Sequence, residues 1–232
     1  MSFHSTSSIC ELTGASLSNL RRWQRRGLVT SVPGEPDWSD AQLNEIRTMV
    51  NATSRGATSL EISISRVKME PVNSYGWLAR RGEILSQLES GSERQVARII
   101  RSLSRDFTGD DFINKLMKPL AEWLRADERT GFARRLKRFH RLVEHHSMVA
   151  GRLSFRKRYL PLLLEIPDDV DDTFILLEVI RLTEQGFCVD IFTSSSGPLS
   201  KAVIRFYAHH LVWGTDGKLR VMSEAGQAAV NN

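Results

Sequence analysis

Four arginines, Arg21, Arg22, Arg25 and Arg26, fall within six consecutive residues, with Asn19 just before them. Guanidinium groups grip phosphates and carboxylates, and basic surface gains affinity for phosphate backbones by releasing counterions. A second basic run is denser: Arg134-Arg135-Leu136-Lys137-Arg138-Phe139-His140-Arg141, with Arg156-Lys157-Arg158 beyond it. Leu136 and Phe139 keep a buried stripe there, leaving a cationic face for solvent or an acidic partner first, and for nucleic acid second. The remaining chemistry-bearing groups are poorly placed for joint work. His145-His146 and His209-His210 are adjacent pairs, and neighbours on a helix or strand point in different directions, which suits metal ligation badly. Ser194-Ser195-Ser196-Gly197 lacks a Gly-x-Gly-x-x-Gly or Walker pattern and reads as a plain loop. The carboxylates of Pro167-Asp168-Asp169-Val170-Asp171-Asp172 read as solvated rather than as a cation site. Cys10 and Cys188 lie far apart, without ligand-spaced partners, and read as small buried residues. No nucleophile, base and orienter form a set, so an enzyme is not expected.

The first arginines sit on a short helix. Ser7-Ser8-Ile9-Cys10-Glu11-Leu12 reads as a cap and helix broken at Gly14, and Ser16 or Ser18 caps a second helix, Leu17 to Arg26, stopped by Gly27. Leu17, Leu20 and Trp23 recur at i, i+3 and i+6 as its apolar members, which leaves Asn19 and the four arginines on or beside the exposed side. Two short helices joined by a tight glycine turn make a helix-turn-helix candidate. A Pro- and Gly-rich loop follows from Val29 to Pro36. Asp37-Trp38-Ser39-Asp40 then caps a helix with Leu43, Ile46 and Val50 on one face. A further helix after Gly56, with Ser59 as cap candidate, carries Leu60, Ile64 and Val67. Residues 71–81 read as a linker.

From Trp77 to Arg158 apolar residues recur at helical spacing, with breaks near Gly91, Thr108-Gly109 and Arg129-Thr130-Gly131, which predicts an antiparallel bundle of about four helices. The tail changes period. Tyr159 to Ile166, Val189 to Thr193 and His209 to Trp213 read as buried strands. An amphipathic helix, Thr173 to Gly186, and a helix around Ser200 to Tyr207 lie between them, as in a small parallel α/β unit.

The chain has 232 residues, 41% hydrophobic and 25% charged, enough for two or three small domains. No apolar run approaches the ~20 residues that span a bilayer, and the polar start, Met1 to Ser8, lacks the features of a secretory signal, so a cytoplasmic location is expected. The net charge of +5 is uneven: residues 1–93 sum to zero, 94–158 to +10 and 159–232 to −5.

The stretch Ile9-Cys10-Glu11-Leu12-Thr13-Gly14-Ala15-Ser16-Leu17-Ser18-Asn19-Leu20-Arg21-Arg22-Trp23-Gln24-Arg25-Arg26-Gly27-Leu28 resembles the opening signature of MerR-family transcription regulators. Gly56 followed by Ser59-Leu60-Glu61-Ile62 is similar to the glycine and helix that close the family's DNA-binding domain. The later helices, notably Ile113-Asn114-Lys115-Leu116-Met117-Lys118-Pro119-Leu120, and the α/β tail resemble the branch whose carboxyl half derives from a cobalamin-binding module, including the MlrA-like activators. The resemblance implies a mixed α and α/β chain. Its parts are a winged helix-turn-helix domain over residues 1–70, the linker at 71–81, a four-helix bundle over 82–158 and a small Rossmann-like parallel sheet over 159–232.

By position, the resemblance makes Ser18, Asn19, Arg21, Arg22, Arg25 and Arg26 the DNA-binding candidates, on a helix that the family lays in the major groove. It implies promoter DNA as partner, RNA polymerase indirectly, a homodimer on a two-fold operator, and a protein or small-molecule signal for the carboxyl-terminal half. Trp23 is expected in the core rather than against phosphate. The wing departs from the family, reading Gly34-Glu35-Pro36-Asp37-Trp38 where the family has a basic pair followed by an aromatic. Residues 1–70 hold eight Lys or Arg against seven Asp or Glu, so this domain alone exerts little electrostatic pull on DNA. The alternative is therefore an interaction protein with a lapsed DNA-binding domain. No cofactor is expected. The family's cobalamin binders use a lower axial His after the first strand of the α/β domain, where the loop after Ile166 has none. The bundle motif of a Trp and a Glu-His pair is matched here only at doubled spacing, by Trp123 and Glu144-His145.

Overall fold

The computed structural model describes residues 3–30, 37–68, 76–197, 199–214 and 218–221. The fold is mixed: mostly helical, with a small and mostly parallel four-stranded sheet. Contacts divide it into two compact units, Met1–Leu142 and Val143–Asn232.

In the first unit, strand β1 (Phe3–His4) pairs antiparallel with β2 (Trp38–Ser39), and helices α1 (Thr6–Thr13), α2 (Leu17–Arg25), α3 (Asp40–Ser54) and α4 (Ser59–Lys68) contribute to one core. Local chemistry sets each boundary. Ser5 caps α1 and Gly14 ends it in the left-handed region; Ser16 caps α2. Ser39 and Gln42 close a reciprocal capping box on α3. The shared core includes Ile9, Leu20, Trp23, Trp38, Ile46 and Met49. Trp38 belongs to this core, where its indole N–H donates to Thr6 Oγ1 at 3.0 Å.

Two apolar faces differ from the sequence reading. On α4 the buried positions are Ser59, Ile62 and Ser65, whereas Leu60 and Ile64 are exposed; the side chain of Val67 lies outside the described residues. The cap here is Thr58, whose hydroxyl accepts from the Glu61 N–H while Glu61 reaches back to the Thr58 N–H, so the helix starts one residue earlier in phase than a Ser59 cap implies. On α2, Leu17 is exposed. Positions 17 and 23 are six residues apart, which at 100° per residue puts them about 120° apart around the helix rather than on one face.

Residues 76–81, expected in the linker, form the first turns of α5 (Gly76–Ser90). Trp77 packs its ring against Phe107, tilted by 54° with centroids 4.5 Å apart, and donates its indole N–H to the Ser54 carbonyl at 3.0 Å. Arg80 donates to the Gly56 carbonyl and pairs with Glu61. Gly56 is needed for this junction: its φ is +89°, and a Cβ there would sit 3.0 Å from the Gly76 carbonyl carbon.

Next come α6 (Glu93–Asp106) and α7 (Gly109–Asp111), then a π-helical turn (Phe112–Met117) that continues as α8 (Lys118–Arg125). Pro119 explains the wide turn. It has no N–H to give the carbonyl four residues back, and the neighbouring Lys118 N–H bonds Ile113, five back. Phe112, Ile113, Leu116, Met117, Leu120 and Leu124 are buried along this stretch. Helix α9 (Phe132–Arg156) follows and crosses the division between the units. The four helical stretches thus lie between the breaks read at Gly91, Thr108-Gly109 and Arg129-Thr130-Gly131.

In the second unit, β3 (Leu160–Ile166), α10 (Asp172–Glu184), β4 (Phe187–Thr193), α11 (Lys201–Ile204), β5 (His209–Trp213) and β6 (Leu219–Val221) give the sheet order β4-β3-β5-β6. Strands β4 and β5 both run parallel to β3, and β6 is antiparallel to β5. The antiparallel edge was not legible in the sequence. Helix α10, expected to be amphipathic, is buried around most of its circumference, including Leu177, Glu178 and Thr183 as well as the core residues Ile175, Val179 and Leu182.

Candidate nucleic-acid interface

Helix α2 is held by one face and presents the other. Leu20 and Trp23 are fully buried, so the helix cannot rotate without emptying the core beneath it. With that face fixed, Ser18, Arg21 and Arg25 fall at i, i+3 and i+7 on the outer face, and all three are exposed. Arg25 Nε donates to the Arg21 carbonyl at 3.2 Å, which holds the Arg25 stem along the helix surface. Arg22 is half-buried beside the core face.

The other two candidates stand apart from this stripe. Asn19, expected on or beside the exposed side, is 1% exposed. It lies four residues before Trp23, hence on the buried face, and contact with a groove would require repacking. Arg26, one residue past the helix, has an exposed side chain, but its Nη1 donates to Asp106 Oδ1 at 3.1 Å, at the end of α6. Sequence reasoning missed Asp106: no local pattern links residues 80 positions apart. Of the wing, residues 34–36 lie outside the described residues; Asp37 is exposed and Trp38 is buried.

The basic run on α9 divides in the same manner. Arg135, Arg138, Phe139 and Leu142, at i, i+3, i+4 and i+7, form its inner face and are buried. Arg135 forks onto Asp127 Oδ2 through Nε at 2.9 Å and Nη2 at 2.5 Å, and its Nη1 donates to the Thr130 carbonyl at 2.9 Å. Arg129 donates to Asp127 Oδ1 at 2.9 Å and stacks 4.6 Å from the Trp123 ring. These hydrogen bonds, Arg129's foremost, hold the Asp127 carboxyl far below the usual range, although burial opposes them. Arg138 donates to the Leu88 carbonyl and, at 2.6 Å, to the Gly91 carbonyl, capping the end of α5. Arg134, Lys137 and Arg141 occupy the outer flank and are exposed.

The histidine pairs do not act jointly. His209 meets the Phe187 ring edge-on at 5.2 Å, whereas His210 is buried with Nε2 3.1 Å from Glu165 Oε2. His145 is exposed on α9 and His146 half-buried. The Ser194-Ser195-Ser196 turn closes on the acidic loop: the Ser195 N–H donates to Asp168 Oδ1 at 3.0 Å and Ser194 Oγ to the Ile166 carbonyl. Among the described residues, no three His, Cys, Asp or Glu side chains gather as a metal ion would require.

The resemblance to a cobalamin-derived module does not extend to the residues that would hold the cofactor. The loop after β3 offers carboxylates and no imidazole, and its Asp168 is spent on Ser195. Trp123 is 38% exposed with Arg129 over one face of its ring, and Glu144 and His145 are exposed. Among the described residues no helix is long and apolar enough to cross a membrane. No protein-family model matches this chain, and no curated protein matches it.

Proposed function

We propose that this chain is a sequence-specific DNA-binding transcription regulator of the MerR type, working in the cytoplasm as a homodimer on promoter DNA. In this reading α1 to α4 with the β1–β2 ladder are a winged helix-turn-helix, α5 to α9 a four-helix bundle, and the sheet a Rossmann-like partner- or signal-binding half. One observation carries it: α2 is pinned through Leu20 and Trp23 and turns Ser18, Arg21 and Arg25 outward on one stripe. Arginine at such positions pairs with phosphates or with guanine edges in the major groove. The regulator distorts a promoter whose spacer is overlong, and so acts on RNA polymerase through the DNA; contacts at both half-sites offset the cost of bending.

The test is genome-wide immunoprecipitation of the tagged protein beside an Arg21→Ala/Arg25→Ala variant. The expected result is discrete peaks over a shared dyad for the parent and none for the variant, with unchanged circular dichroism. A second reading, an interaction protein whose DNA-binding domain has lapsed, draws support from Arg26, which is engaged by Asp106, and from the exposed Asp37 in the wing. Parent protein without peaks would favour it.

A further inference from the structure

Between the start of α6 and the outer flank of α9 lies a cleft of about 530 Å³, lined by Gly91, Ser92, Glu93 and Ala133 and by the cations Arg134, Lys137, Arg138 and Arg141. Four cations against one carboxylate make it strongly electropositive, and its volume falls in the range of small-molecule sites. Its walls are built rather than incidental. Arg138 is buried and tied to two carbonyls, which fixes α9 against the end of α5. Gly91 forms the floor where a side chain would collide: a Cβ there would lie 2.8 Å from the Gln87 carbonyl oxygen. Ser92 and Gln95 cap α6 reciprocally, setting the positive end of its dipole at the cleft.

The cations differ in what they already hold. Arg141 pairs with Glu93 at 2.8 Å, both being exposed. Arg134 and Lys137 make no ion pair or hydrogen bond to any described residue. Two like charges are thus held one helical turn apart with no counter-ion among the described residues, an arrangement that an external anion relieves.

We propose that this cleft binds a phosphate ester of a small hydroxyl-bearing molecule, in the size class of a mononucleotide. Arg134 and Lys137 take the phosphoryl oxygens, Arg134 with its planar fork and Lys137 as a point charge, and Arg141 completes the ring of donors. Glu93 accepts from a sugar hydroxyl. That carboxylate distinguishes the ligand from a nucleic-acid backbone, whose continuous row of phosphates it would repel. The stripe Arg134 to Arg141 is also only about 10 Å long, too short to track a duplex. The proposal does not depend on the DNA-binding reading of α2.

The test is isothermal titration calorimetry of the full chain with adenosine monophosphate, inorganic phosphate, adenosine and duplex DNA. Adenosine monophosphate is expected to saturate with a Kd below about 1 mM, phosphate more weakly and adenosine not at all. Arg134→Ala/Lys137→Ala, with circular dichroism and Tm unchanged, should weaken adenosine monophosphate at least tenfold. Arg134→Lys/Lys137→Arg should keep most of the binding, and Arg21→Ala/Arg25→Ala all of it. No saturation by either phosphate probe would overturn the proposal, as would equal binding by the double alanine variant. So would loss of duplex binding in that variant when the parent ignores adenosine monophosphate, which would make the flank a tread for nucleic acid.

Discussion

The two basic clusters, one on α2 and one on α9, look alike in composition and are sorted alike by the helix. In each, the residues at i, i+3 and i+7 of the outer flank are exposed: Ser18, Arg21 and Arg25 on the first, Arg134, Lys137 and Arg141 on the second. In each, other cations are committed to the protein itself, Arg26 to Asp106 in one and Arg135 and Arg138 to Asp127 and backbone carbonyls in the other. What separates them is the anchoring and the ground around the stripe. Helix α2 is fixed by apolar side chains, whereas α9 is fixed here by the guanidinium groups of Arg135 and Arg138 as well as by Phe139 and Leu142, and borders a cleft. Counting charge therefore says little about function. Helical phase decides which cations are free, and the neighbouring element decides whether they meet a surface or a small molecule. Helix α6 touches both clusters, holding Arg141 through Glu93 at one end and Arg26 through Asp106 at the other.

The sharpest break in this comparison comes from the apolar anchor. Trp23→Ala should cost about 3–5 kcal/mol, the range for truncating a buried aromatic, and be seen as a large fall in Tm. Helix α2 then loses its fixed orientation, and on the proposed reading duplex affinity should fall although every arginine remains. A Tm within a degree of the parent would show that Leu20 alone holds the helix.

The polar anchor of α9 should yield less. Arg138→Met keeps length but leaves the Leu88 and Gly91 carbonyls without their donor, at about 1–3 kcal/mol each if water cannot replace it. Denaturant unfolding checks this. The same variant should weaken adenosine monophosphate binding by distorting the cleft wall, whereas Trp23→Ala in a chain that still folds should not.

These anchors separate what the amino-acid sequence makes legible from what it does not. The stops at Gly14 and Gly27, the cap at Ser39 and the strand–helix alternation from Leu160 to Trp213 depend on neighbours in sequence, and they are where local chemistry puts them. Phase was harder. Leu17 and Leu60 look like core residues in a spacing pattern, yet Asn19, Ile62 and Ser65 occupy those faces instead, because a run of i+3 steps drifts around the helix. Arg138 and Asp106 were illegible for another reason. Their partners lie 47–80 residues away, and no periodicity reports a guanidinium reaching a carbonyl or a carboxylate on another helix. The basic run from Arg134 was visible; the cleft beside it was not, since it depends on α6 starting at that point.

Acid should act on the α9 side through Asp127. Arg129 and Arg135 hold Asp127 ionised, so its carboxyl is depressed in the folded chain relative to about 4 in the unfolded one. The stabilisation from this group is fully present above about pH 5 and is lost as pH falls below the unfolded value. Asp127→Asn should therefore have a lower Tm than the parent at pH 7, with the difference shrinking as pH approaches 3. A constant difference across that range would mean that the amide disturbs packing rather than charge.

The smallest effect bears on the link between the clusters. The Arg26–Asp106 pair joins a carboxylate that is 8% exposed to an arginine that is 46% exposed, so solvent screens it and its net worth is on the order of 1 kcal/mol or less. Asp106→Asn should leave the fold intact and release Arg26 toward the outer stripe. Duplex affinity, read by fluorescence anisotropy, should then rise by a few fold, and more at low than at high salt, because a freed cation acts through phosphate contacts and counterion release. A fall in affinity would mean that Asp106 positions Arg26 for the duplex rather than withholding it. In that case the end of α6 belongs to the interface, and the two clusters are parts of one surface organised from the middle helices.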